Sequence, residues 1–286
     1  MESAKGKDAP GGKYALILQY DGALFAGYQT QNGPRSVQSE LEKSLRVILR
    51  QEIKTHCAGR TDAGVHALGQ VVSFALQDPP PARTLLHSLN ALLPDDMAAA
   101  ALTPVPEDFH ARFSCLAREY EYRIWNAPYP PVFERGRCLW IRQPLEMEAL
   151  EKISRAIPGE RDFASFTRAE YRDESTIRYV DRAGWSMEGD SFEQGRTLRF
   201  RIRGNAFLHN MIRILVGTSL DIVRGKIRRS MAEILEAKDR LAAGHTARAA
   251  GLYFIGAYYP PFPFAAPLLE IRDYPSFRRD RPAEPF

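Results

Sequence analysis

The stretch Cys57-Ala58-Gly59-Arg60-Thr61-Asp62-Ala63-Gly64-Val65-His66 constrains the local shape of this chain more than any other. It places a tight turn between two β-rich runs, residues 52–58 and 70–76. Glycine lets the backbone turn sharply and lets a ligand come close. The turn carries one carboxylate, Asp62, with Arg60 two residues before it and Gly64 two after it. A lone aspartate beside a cation has the chemistry of a nucleophile or a base. The same residue can also do no more than cap the turn by bonding its own backbone. Local chemistry by itself favours the second reading.

A chain of 286 residues can bury a substantial core, as one large domain or two smaller ones. With 44% hydrophobic and 26% charged residues it has an ordinary globular composition. The net charge of +4 is compatible with a nucleic-acid partner without requiring one. No apolar run approaches the roughly 20 residues that span a bilayer. Residues 1–13 carry Lys5, Lys7 and Lys13 with no apolar stretch behind them, unlike a secretory signal. Three widely spaced cysteines, Cys57, Cys115 and Cys138, fit free thiols in a reducing cytoplasm. There is no C-x-x-C, H-E-x-x-H, Walker A loop or strand-linked G-x-G-x-x-G. The expectation is therefore no cofactor, no metal and no membrane.

Hydrophobic periodicity gives the organisation. Strands are expected over residues 14–20, 52–58, 70–76 and, more weakly because of its alanines, 97–105. Helices are expected over 37–50, with Ser36 as N-cap, and over 83–93, stopped by Pro94. The second half runs in similar order. Strands fall at 116–125, 177–188, 196–203 and 252–258, and helices at 145–157, 206–224 and 229–237. The fold class expected is α+β: two ferredoxin-like halves of β-α-β-β-α-β type whose mostly antiparallel sheets meet at a central catalytic cleft. The domains expected are a flexible N-terminus at 1–12, an N-terminal half at 13–114 carrying Asp62, a C-terminal half at 115–259, and a Pro/Arg-rich tail at 260–286.

The longer string Gly59-Arg60-Thr61-Asp62-Ala63-Gly64-Val65-His66-Ala67-Leu68-Gly69-Gln70-Val71-Val72-Ser73-Phe74 closely resembles the signature of the TruA-type tRNA pseudouridine synthases. Other stretches agree with that family in order, among them Tyr20-Asp21-Gly22-Ala23-Leu24-Phe25-Ala26-Gly27-Tyr28-Gln29 and Asp108-Phe109-His110-Ala111-Arg112-Phe113. Arg118-Glu119-Tyr120-Glu121-Tyr122, Asn205-Ala206-Phe207-Leu208-His209-Asn210-Met211-Ile212-Arg213 and Gly251-Leu252-Tyr253-Phe254 complete the set. The resemblance covers residues 14–259. One position departs from it: Tyr28 stands where the family usually has tryptophan, which keeps an aromatic face, adds a hydroxyl and bears on local RNA contacts.

The resemblance implies a homodimeric, cytoplasmic enzyme that converts uridines 38, 39 or 40 of the tRNA anticodon arm to pseudouridine, with one tRNA touching both subunits. It implies catalytic roles for Asp62 and Arg213, which face each other across the cleft, and substrate-binding roles for Arg60 and Tyr120. An aspartic acid free in water titrates near 4; burial raises that value and an adjacent guanidinium lowers it. Arg213 is the partner the family assigns to Asp62. Read as helix, residues 206, 209, 210, 213 and 217 form a small and polar stripe, opposite the apolar Leu208, Met211, Ile212 and Leu215. Arg60 is implied to fill the space that a flipped nucleotide leaves. On its strand Tyr120 shares a face with Arg118, Tyr122 and Ile124. It matches the family tyrosine that stacks on the target uracil. For Tyr122 the reading stays ordinary packing. The rival readings are a non-catalytic RNA-binding or chaperone module of the same fold, a family synthase with another uridine target, and an Asp-dependent glycosidase. The last normally needs two paired carboxylates, and the turn offers one.

Overall fold

The computed structural model describes residues 12–168, 170 and 175–260. Apart from Gly12 and Pro260, the N-terminal segment and the tail expected at either end lie outside the described residues.

Strand Gly12–Tyr20 (β1) leads through a long loop, with a single 3-10 turn at Gly22–Leu24, to helix Val37–Leu49 (α1). The α1 start is capped as its sequence demands: the Ser36 hydroxyl accepts from the Ser39 amide and Ser39 answers with its own hydroxyl. The helix buries Val37, Leu41 and Leu45, one residue per turn, and packs beside helix Ala82–Leu92 (α2), which buries Leu85 and Leu89. Between them come His56–Cys57 (β2) and His66–Leu76 (β3), and Met97–Val105 (β4) follows. The second half contains Ala117–Asn126 (β5), Leu139–Ile141 (β6), helix Met147–Ser154 (α3), Gly159–Asp162 (β7), Ile177–Glu188 (β8) and Arg196–Gly204 (β9). Helices Met211–Val223 (α4) and Met231–Ala237 (α5) precede the last strand, Leu252–Tyr258 (β10).

The strands make one sheet in the order β4-β1-β3-β10-β5-β9-β8-β7, with β2 on β3 and β6 on β5. The protein is thus α+β with a large, mostly antiparallel sheet; only β10–β3 and β5–β6 run parallel. The two sheets expected side by side are one continuous sheet, because β10 inserts between β3 and β5 and bonds to both. The strand expected at 52–58 shrinks to two residues: His56 and Cys57 pair with Ser73 and Val72 of β3, while at the other end of β3 His66 and Ala67 pair with β10.

Other differences have local causes. The helix expected from residue 206 begins at Met211, since Asn210 adopts a left-handed conformation with φ 60°. Strands β6 and β7 are absent from the sequence reading: three and four residues are too few to establish a period. On β5 the expected alternation appears, with Tyr120, Tyr122 and Ile124 buried and Glu119, Arg123 and Trp125 partly exposed. Glu121 is the exception, fully buried yet on the polar face. No helix among the described residues is long and apolar enough to cross a membrane.

Candidate active site

The Asp62 turn is held by backbone rather than by side-chain packing. Segment 20–28 wraps around it. Tyr28 donates its amide to the Thr61 carbonyl at 3.0 Å, and Val65 closes the turn on the Asp62 carbonyl at 3.1 Å. Two glycines make this approach possible. A Cβ on Gly22 would fall 2.0 Å from the Val65 carbonyl oxygen, and one on Gly27, at φ +107°, 2.9 Å from that of Thr61. Gln70 on β3 fixes the other side, donating to the Gly59 carbonyl at 2.7 Å. The Thr61 hydroxyl bonds that of Tyr20 at 2.8 Å, so the side chain next to Asp62 points into the core.

The opposing lip comes from the second half. Arg213, in the first turn of α4, donates through Nε to the Ala247 carbonyl at 2.8 Å and through Nη1 to Asn210 Oδ1 at 2.6 Å. Its guanidinium is thereby locked before it meets the carboxylate. Nη1 lies 3.7 Å from Asp62 Oδ2, and His209 Nε2 lies 3.6 Å from Asp62 Oδ1. Both groups, the guanidinium and the imidazole, stand just beyond hydrogen-bond length. The Asp62 side chain keeps 35% of its surface open. A cleft of about 540 Å³ opens over it, lined by Gln29, Gln31, Arg60, Asp62, His209 and Arg213 among others.

The structure therefore brings Asp62, Arg60 and Arg213 to one cleft. Tyr120 stands behind it, 8% exposed, with its ring edge-on to Phe207 and Phe254 at 5.3 and 5.0 Å. A Cβ on Gly59 would lie 3.4 Å from the Tyr120 hydroxyl, so the turn passes directly over the phenol. Burial pushes that phenol well above its ordinary pKa and keeps it protonated. Cys57, before the turn, is likewise pushed up by burial, to about 12 despite Arg60 nearby, and is an inert thiol. Tyr122 is packed as expected, its hydroxyl donating to the Arg248 carbonyl. Tyr28 is buried at 2% exposure beside Tyr20, and it also lines the cleft over Asp62.

The polar stripe drawn on a helix is corrected in two ways. Residues 206, 209 and 210 precede α4, and Gly217 faces backbone: a Cβ there would strike the His245 carbonyl at 1.9 Å. His209 received no role from the sequence. Its one signal was its place four residues before Arg213, which the left-handed Asn210 converts into a position over the carboxylate. Gln70, Asn210 and Ala247 also received no role: Gln70 and Ala247 act by hydrogen bonds to other segments, and Asn210 acts on Arg213 through its side-chain oxygen, from its left-handed position at the start of α4.

A carboxylate open to a cleft, with a guanidinium and an imidazole just beyond hydrogen-bond length, has the chemistry of a nucleophile or a base. Comparison with known proteins gives the chain a family. The model of the tRNA pseudouridine synthase family matches residues 16–114 and 153–260. The tRNA pseudouridine synthase A of Leptospira biflexa is 42% identical over 263 residues, covering 90% of this chain and 98% of that protein. Those of Francisella tularensis subsp. novicida and Hydrogenovibrio crunogenus are 38% and 39% identical, covering 90% and 86% of this chain and 98% and 92% of theirs. The chain belongs to the tRNA pseudouridine synthase family.

Proposed function

We propose that this protein isomerises uridine to pseudouridine at position 38, 39 or 40 of the tRNA anticodon arm, with Asp62 as the nucleophile or base. The reaction breaks the C1′–N1 bond, turns the uracil and joins C1′ to C5. The C5 proton is lost and N1 gains one, so nothing is oxidised or reduced. The observation that carries the reading is the Asp62 carboxylate, faced by Arg213 and His209 at 3.7 and 3.6 Å and open to the cleft. Arg213, locked by Ala247 and Asn210, faces the carboxylate and aims it. Arg60 on the exposed rim fills the gap left by the flipped nucleotide. Tyr120, with Phe207 and Phe254, forms the apolar end on which the uracil stacks once bound RNA shifts the Gly59 turn.

The reading includes two ferredoxin-like halves, residues 13–114 and 115–259. The neighbour orders β4-β1-β3-β2 and β10-β5-β9-β8 support it, since each half repeats the same pairing pattern around its first strand. It also includes a cytoplasmic homodimer in which one tRNA touches both subunits, as the family resemblance implies.

The test is tritium release from tRNA carrying 5-tritiated uridine, run beside a filter-binding measurement. Wild-type protein should release tritium from the anticodon arm. Asp62→Asn should bind tRNA and slow release by roughly four orders of magnitude, the scale on which removal of a nucleophile acts. Release by Asp62→Asn at close to the wild-type rate would reduce Asp62 to a turn residue.

A further inference from the structure

We infer that His66 is a positioning residue, an imidazole bridge that ties the Asp62 turn to the segment holding Arg213. The inference rests on the catalytic pair proposed above and adds a residue that the pair itself does not include. His66 lies at the start of β3, four residues after Asp62, and is 2% exposed. Its Nδ1 is 3.0 Å from the Gly22 amide and its Nε2 is 3.2 Å from the Ala250 carbonyl. Its ring stacks on Tyr253 at 4.7 Å and 24°.

Each contact leads to one member of the pair. Gly22 presses on the Val65 backbone and so on the turn that presents Asp62. Ala250 lies three residues beyond Ala247, whose carbonyl accepts from Arg213 Nε and whose amide donates to the Arg213 carbonyl at 3.0 Å. A neutral ring with its proton on Nε2 satisfies both contacts at once: it accepts from Gly22 and donates to Ala250. The bridge spans the two halves beneath the cleft, where a shift of about 1 Å between Asp62 and Arg213 would be costly to the rate.

The surroundings act on that form from both sides: burial favours the neutral ring and Asp21 favours a proton on Nδ1. Asp21 Oδ1 lies 2.9 Å from Nδ1, so a protonated ring would turn its Nδ1–H to Asp21 and leave the Gly22 amide without its acceptor. Burial holds the imidazole below its ordinary range, with Asp21 working against it. Asp21 is itself engaged by the Ala23 amide and by Arg137 Nε at 3.0 Å. The other charged or titratable groups facing this site are Tyr253, Arg123 over the Tyr253 ring at 4.0 Å, and Glu134 and Cys138 of the Arg137 loop.

The test uses the full chain and two variants. His66→Phe keeps the ring on Tyr253 and removes both hydrogen bonds; His66→Gln retains an amide able to donate to Ala250. Under single turnover at saturating tRNA, the Phe variant should slow by up to about 100-fold, with tRNA affinity changed by less than about twofold. The Gln variant should recover most of that loss. The wild-type rate should fall on the acid side as His66 takes a proton, and this limb should vanish in His66→Gln. Nitrogen-15 spectra of the wild-type histidines should show a neutral His66 protonated on Nε2 at neutral pH. This last readout does not depend on activity, so it stands even if Asp62→Asn proves active and the catalytic reading fails. Protonation on Nδ1, a wild-type rate in His66→Phe, or equal loss of rate and binding in the variants would overturn the inference. Should the Phe variant not fold, a Gln variant as slow as the remaining outcome predicts for Phe would overturn it as well.

Discussion

Glu121 lies wholly buried at the middle of β5, with Arg123 Nε and Arg201 Nε each 2.7 Å from one of its oxygens and Arg199 at 3.9 Å. Asp62 sits in an open cleft, and its neighbours His209 and Arg213 stop at 3.6 and 3.7 Å. The same ingredients, a carboxylate and guanidinium groups, give opposite results. In Glu121 burial raises the pKa, but the bonds from Arg123 and Arg201 outweigh it and leave the carboxyl below its ordinary range. Its lone pairs are committed to holding β5 and β9 together. In Asp62 the arginine spends its own hydrogen bonds on Ala247 and Asn210, and the carboxylate keeps lone pairs to offer a substrate. A saturated carboxylate is committed to structure; one whose partners are locked just short of it has lone pairs for the role proposed for Asp62.

The contrast can be broken from either side. After Asp62→Asn, the largest effect expected is at Arg213→Lys. Lysine keeps the charge but loses the fork that binds Ala247 and Asn210 together. Single-turnover rates should fall by about 10²–10³-fold, the scale of losing one fixed donor, with tRNA affinity at constant salt nearly unchanged. Equal losses in both would make Arg213 an RNA contact. Glu121→Gln should behave in reverse. Urea unfolding should register a loss of about 3 kcal/mol, because removing one partner leaves arginines facing a buried, uncharged amide. The rate per folded molecule should hold.

Tyr120→Ala should weaken tRNA binding by roughly 1–3 kcal/mol if the ring is a stacking wall, while Tyr120→Phe retains most of it. A severe loss of chemistry in Phe would give the hydroxyl a role in proton transfer, which its raised pKa argues against. The smallest effect concerns pH. Glu121 has a lowered folded pKa, so its contribution to stability is present above the unfolded value, near 4.3, and is lost as pH falls through the folded one. The urea midpoint of the wild type should therefore drop more steeply with acid than that of Glu121→Gln.

Much of this was legible beforehand. The boundaries of β4, β8 and β10 match those expected from the sequence, β4 despite its alanines, and α1 follows from its Ser36 cap and its i, i+4 apolar residues. Asp62, Arg60 and Arg213 were legible through family resemblance and arrive in one cleft. Glu121 was not. Period two put it with Arg123 on the polar face of β5, and nothing in spacing said that Arg201 of β9 would seal it from water.

The sequence by itself determined the alternation of strands and helices, the tight glycine-bearing turn and the single carboxylate within it, because these depend on residues within a few positions of one another. The tertiary structure decided the rest. Insertion of β10 between β3 and β5 made one sheet from two halves. The left-handed Asn210 lifted His209 off the helix and over Asp62, and the carbonyl of Ala247 set how far Arg213 could reach. The β10 insertion and the Ala247 contact depend on hydrogen bonds between segments far apart in the chain, which local propensity does not encode.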